Sequence, residues 1–257
     1  MPSDLPVRAL VGAGLILLAA LALWSGGLLF WLVLVIVALL MMGEWANLAH
    51  ASENSRRLGQ FALSVPLAIM APPWLAAGPG FFALGLIGGA AFFTAIATRR
   101  AVLGAGIVYV GLPILALLWL RQRDDGLLLA FWAMALVWAC DIGAYFAGRS
   151  LGGAKLAPAI SPNKTWAGLF GGVVATAFFA AILFRFGLPL HLTIATPLLA
   201  VTAQMGDLFE SWLKRRAGVK DSGDLLPGHG GFLDRLDGLV PVAPIAALLV
   251  LLPEVVR

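Results

Sequence analysis

Charge is scarce in this sequence: of 257 residues only 12% are Asp, Glu, Lys or Arg, where soluble domains carry about 25%. With 61% apolar residues and a mean hydropathy of +0.97, a water-soluble fold of this length could not hide its apolar surface, so the excess faces lipid. Cys140 is the only cysteine, which rules out an internal disulfide. Three histidines, His50, His191 and His229, occur without an HExxH pattern, excluding a zinc protease of that type. There is no G-x-S-x-G elbow and no GxGxxG fingerprint. Alternating ten-residue strands are missing too, which argues against a membrane barrel. The formal charge of +4 sits in short loops between apolar runs. It reads as an orientation signal in a bilayer, with no nucleic-acid partner.

Apolar runs are abundant. A helix crosses the hydrocarbon core in about 20 residues, and the runs predict an all-α, polytopic membrane protein with about nine spans. These cover 8–24, 26–43, 59–77, 79–97, 102–120, 126–147, 166–186, 189–210 and 239–252. The first two are joined at Ser25-Gly26-Gly27, as one hairpin or one long tilted helix. Arg8 and the run after it resemble a signal peptide, but no small-residue cleavage site follows, so this is read as a retained first span. With the N-terminus in the cytosol, nine spans put 13 of the 17 lysines and arginines on the cytosolic side, as the positive-inside rule requires. Gly85/Gly89 and Gly168/Gly172 have helix-packing spacing.

The chain changes character near residue 140. Residues 1–139 read as scaffold, and residues 140–257 of the same single transmembrane domain carry the candidate chemistry. Asp207, Glu210, Ser211 and Lys214 fall on one helix face, although Glu210 and Lys214 could simply pair at i,i+4. Residues 214–237 mix acids, bases, His229 and five glycines, a combination that suits phosphate oxygens better than a purely basic headgroup patch does. Ser161, Asn163 and Lys164 precede the seventh span; Lys164 at a helix start suits a phosphate, and Thr165 could cap that helix. Asp141, Tyr145 and Gly148 share a face that Arg149 follows, with Gly148 a candidate helix stop. Acids, lysines and glycines on one membrane side suit a divalent metal and phosphates.

Three segments carry a resemblance: Ser211-Trp-Leu-Lys214-Arg215, Lys220-Asp221-Ser-Gly223, and Pro227-Gly-His229-Gly230-Gly231-Phe-Leu-Asp234-Arg235-Leu-Asp237. Over the 27 positions 211–237 that contain them, the chain resembles the signature of the phosphatidate cytidylyltransferases, or CDP-diacylglycerol synthases. Asp141–Gly152 and Ser161–Trp166 resemble two further motifs of that family. The resemblance implies transfer of CMP from CTP to phosphatidic acid with release of pyrophosphate, at the cytosolic face of a bacterial inner membrane. It implies a homodimer, and Mg²⁺ held by Asp207 and Asp234, with room for a second cation. In that reading Lys214, Lys220, Asp221 and Arg235 join the two acids as catalytic candidates. Asp141, Tyr145, Arg149, Ser161, Asn163, Lys164, His229, Gly230 and Gly231 are the substrate-binding candidates, and Asp237 could be a helix cap. Two other readings use the same residues: a related CTP-dependent lipid transferase or polyprenol kinase, and a secondary transporter with Asp141 and Asp207 as ion sites. A transporter would place its acids near the bilayer midplane and show internal repeats.

Overall fold

The computed structural model describes residues 4–225 and 230–255. Ten helices appear in the described residues: α1 (Asp4–Ser25), α2 (Gly27–Leu48), α3 (Glu53–Ile69), α4 (Phe81–Thr98), α5 (Ala101–Arg121), α6 (Gly126–Leu151), α7 (Trp166–Arg185), α8 (Leu190–Arg216), the four-residue α9 (Leu233–Leu236) and α10 (Leu239–Val255). Six of them, α2 and α4 through α8, are long and apolar enough to cross a membrane; α1 and α10 hold shorter apolar stretches. The architecture is that of an all-α polytopic membrane protein.

Helix α5 is the axis of the bundle. The most apolar window of α5 is 61% buried, against 17% for α4. Both ends of α5 are tied down by arginine. Arg100 donates to the carbonyls of Ala49 and His50, where α2 ends. Arg121 donates to Leu23 and Trp24, where α1 ends. Such ends leave carbonyls without helical partners, and a guanidinium can satisfy two at once. The junction between the first two spans is a real break, with Gly26 and Gly27 at φ 60° and 47°. A side chain at Gly26 would also collide with Arg121, whose Nη2 lies 2.7 Å from the Cβ position.

Helices α6 and α7 pack through small residues. A Cβ on Gly171 would fall 2.2 Å from the Ala147 Cβ, and one on Gly143 would fall 2.6 Å from the Gly171 carbonyl. Gly168 and Gly172 belong to this seam, as their spacing suggests. Gly85 and Gly89 do not pack within the chain: both face open space. Gly148 is not a helix stop. Helix α6 runs on to Leu151, and Gly148 instead lets α7 come close, with the Gly168 Cα 3.5 Å from its Cβ position. The stop is Gly152-Gly153, at φ 61° and 91°.

Two segments depart from the sequence reading. The third helix occupies Glu53–Ile69 rather than 59–77. Ser52 caps it through the Ser55 N–H and Glu53 pairs with Arg57 at 2.8 Å, so the polar residues start the helix early. Pro72, Pro73 and Gly78 then occupy a loop. A chain read as wholly helical also contains an antiparallel hairpin, β1 (Lys155–Ala157) with β2 (Ser161–Thr165). The hairpin carries Ser161, Asn163 and Lys164 to the start of α7, where the Thr165 hydroxyl accepts from the Gly168 N–H.

Candidate active site

The ionisable residues of the second half gather where the C-terminal part of α8 meets the start of α7, the loop after α8, and α9. Lys164 and Asp207 form one ion pair, Nζ to Oδ2 2.5 Å. The Lys164 ammonium is largely buried, and Asp207 takes only one of its three donor positions. A three-proton donor held this way is suited to an incoming anion. Asp207 is more open, with its side chain 32% exposed, and its Oδ1 accepts from the Ser211 hydroxyl at 3.3 Å.

Lys214 and Asp234 form a second pair at 2.5 Å, with Glu210 3.5 Å from the same ammonium. The other Asp234 oxygen accepts from the Ser222 N–H, the Ser222 hydroxyl and the Gly231 N–H at 2.8–2.9 Å. Burial alone would raise the Asp234 pKa, but the lysine and the two backbone donors outweigh it and hold this carboxyl below its ordinary value. Asp237 goes the other way. Burial, and after it the charge of Asp207, lifts Asp237 well above the usual carboxylate range, against the pull of the Gly238 N–H. Asp141, near the end of α6, feels the charges of Asp207 and Lys164.

Asp207 and Asp234 are thus engaged by different lysines. The structure does not present them as one open pair of carboxylates. Among the described residues, no group of three or more His, Cys, Asp or Glu is set to hold a metal. Magnesium often takes one or two carboxylates and completes its shell with phosphate oxygens and water. Asp207 fits that role. Asp234 does not fit as it stands: its side chain is 5% exposed and carries four protein donors.

Most of the chain also aligns with known proteins. Residues 6–252 match the model of the cytidylyltransferase family. The chain belongs to that family. It is 40% identical over 238 residues to the phosphatidate cytidylyltransferase of Brucella suis biovar 1 (strain 1330), covering 88% of this chain and 85% of the relative. Over 142 residues it is 45% identical to the Bacillus subtilis (strain 168) phosphatidate cytidylyltransferase, about half of each protein.

Around the two lysine–acid pairs, the family motifs spread unevenly. Gly230 lies against Asp234: with φ 79° it has no room for a Cβ, whose position is 2.7 Å from Asp234 Oδ2. Gly231 donates to the same oxygen. Lys220 and Asp221 are exposed, and Asp221 approaches the Gly230 backbone. Arg235 is exposed and borders an apolar cavity. Asn163, Tyr145 and Arg149 face outward, and the Tyr145 ring meets Phe146 edge-on. Ser161 is half-buried in the hairpin. His229 lies outside the described residues.

Two contributors come from the half read as scaffold. Glu44 of α2 is 3% exposed, accepts from the Phe232 and Leu233 N–H groups, and has its Oε2 3.1 Å from the Ser222 hydroxyl oxygen. Tyr109 of α5 packs its ring, tilted, between Trp45 and Phe209 on the α8 helix that bears Glu210. The signal for Glu44 was present: a lone acid inside the apolar run 28–46, where an ionisable group needs a partner or a task. Tyr109 left no comparable trace among its apolar neighbours.

Proposed function

We propose that this protein transfers CMP from CTP to phosphatidic acid, giving CDP-diacylglycerol and pyrophosphate in phospholipid biosynthesis. The observation that carries the reading is the family match over residues 6–252, which takes in both lysine–acid pairs. The phosphatidate phosphate has a second pKa near 6 and is largely dianionic at pH 7, so it needs no protein base to become a nucleophile. One of its oxygens attacks the α-phosphorus of CTP, and the bond to the β-phosphate bridge breaks with the electron pair leaving on pyrophosphate. The barrier is repulsion between two polyanions. Lys164 and Lys214 are fixed ammonium groups that offset this charge without reorganising.

Mg²⁺ is part of the proposal. Asp207 would hold it, and the ion would supply Lewis-acid neutralisation of phosphate charge. Lys220 and Arg235 are proposed to add positive charge for the phosphates, His229 to contact a phosphate, and Asp221 to hold a lysine or a second cation. An apolar cavity of about 410 Å³, lined by Val33, Val37, Val137, Phe232, Leu236 and Arg235 among others, would take the acyl chains, with Arg235 at its charged rim. The proposal extends to a homodimer in a bacterial inner membrane, with the lysine-rich end facing the cytosol.

The test is direct. Purified protein in mixed micelles receives labelled CTP, Mg²⁺ and phosphatidate, and CDP-lipid and pyrophosphate appear in equal amounts. If CTP is not consumed, or is consumed without CDP-lipid, the proposal is wrong.

A further inference from the structure

We propose that Glu44 is a positioning residue for the reaction above: from α2 it fixes the loop that presents Asp234 to Lys214. The proposal rests on the functional reading for its activity arm only.

Glu44 is buried, and its two oxygens are committed in different directions. Oε1 accepts from the Phe232 N–H at 2.9 Å; Oε2 accepts from the Leu233 N–H at 2.8 Å and lies 3.1 Å from the Ser222 hydroxyl. These contacts span 178–189 residues of sequence. The loop wraps the carboxylate from two further sides. A Cβ on Gly231 would fall 2.5 Å from Oε2, and one on Gly223 would fall 3.1 Å from Oε1. The two glycines are therefore needed for the backbone to close on Glu44.

The same loop atoms serve Asp234. Ser222 and Gly231 donate to its Oδ2 while its Oδ1 holds Lys214. The line of contacts runs from α2 through Ser222 and residues 231–234 to the Lys214 ammonium on α8. Two backbone donors side by side require acceptors on both arms of the residue at 44. Glutamine has the same shape but offers one oxygen, and its amide would face the other N–H donor to donor. Aspartate keeps both acceptors and retreats by one methylene.

These two substitutions separate positioning from packing. A packing role ranks Glu44→Gln, the isostere, above Glu44→Asp; a carboxylate that aligns two N–H groups ranks Glu44→Asp above Glu44→Gln. In full-length protein, Glu44→Gln is expected to speed amide exchange in peptides covering 230–236 at least tenfold. Peptides of α6 and α7 should be unchanged, and CDP-lipid turnover should fall at least tenfold. Glu44→Asp is expected to recover at least threefold of that turnover. Unchanged exchange at 230–236, a uniform rise across the bundle, or Gln outperforming Asp each overturns the proposal. If Glu44→Gln does not fold, Glu44→Asp read for exchange against the wild type decides the matter by the same local-or-uniform criterion. A wild-type protein that makes no CDP-lipid overturns the functional reading, while the exchange comparison still decides the position of the loop.

Discussion

Asp207 and Asp234 carry the same functional group and answer to different surroundings. Asp207→Asn removes a half-open carboxylate and leaves Lys164 in place, so the fold should survive. Turnover is expected to drop by a factor of about 10² or more, the scale for losing one preorganised electrostatic contact, with the melting temperature in detergent nearly unchanged. Asp234→Asn is a heavier change. An amide there would turn an N–H₂ toward existing donors or abandon Lys214, and breaking a buried pair costs about 3–5 kcal/mol. Its melting temperature should fall along with its activity, and equal thermal stability in the two variants would refute the distinction. Lys164→Ala is expected to raise the KM for CTP about tenfold or more, as one phosphate contact is lost; an unchanged KM removes Lys164 from the site. Sequence alone marked these four side chains as chemistry but could not pair them, because Lys164 and Lys214 are equally plausible partners for either acid until the bundle is closed. Glu44 stands out in the sequence as a lone acid in an apolar run, but its task does not: it accepts from backbone N–H groups, which leave no trace in side-chain identity.

At the scale of elements, apolar length located the helices and local polar chemistry set their ends. The α3 shift shows how: a serine cap and a Glu53–Arg57 pair outweighed the hydropathy window. The hairpin before α7 was illegible because its strands are only three and five residues long and Pro158 and Pro162 interrupt it, features that read as turn. Helix seams make sharper predictions. Gly171→Ala puts a methyl into Ala147 and should destabilise by about 1–3 kcal/mol, whereas Gly89→Ala meets nothing within 4 Å and should be neutral or stabilising by up to about 1 kcal/mol. Both are read as shifts in thermal midpoint. A Gly171→Ala protein as stable as wild type would mean that α6 and α7 do not meet as described. Thr165→Ala, which removes a buried cap, should cost about 1 kcal/mol, by the same measurement.

Across the whole molecule, contacts link the end of α2 to the start of α5, β2 to the C-terminal part of α8, and α2 to the residues that open α9. These contacts bring the ends that bear most of the basic residues to one side of the bundle. Single cysteines replacing Arg56 and Arg216 should therefore be labelled from the same side of a vesicle, and cysteines replacing Arg123 and Arg185 from the other. Labelling of all four from one side would break the threading. Such an experiment needs no cysteine-free background. The native thiol, Cys140, is buried against the Ala200 carbonyl and the Gln204 amide, with α7 closed over it at Gly172. A maleimide cannot reach that sulfur while α6, α7 and α8 stay together, so its slow modification becomes a clock for how often the three part company.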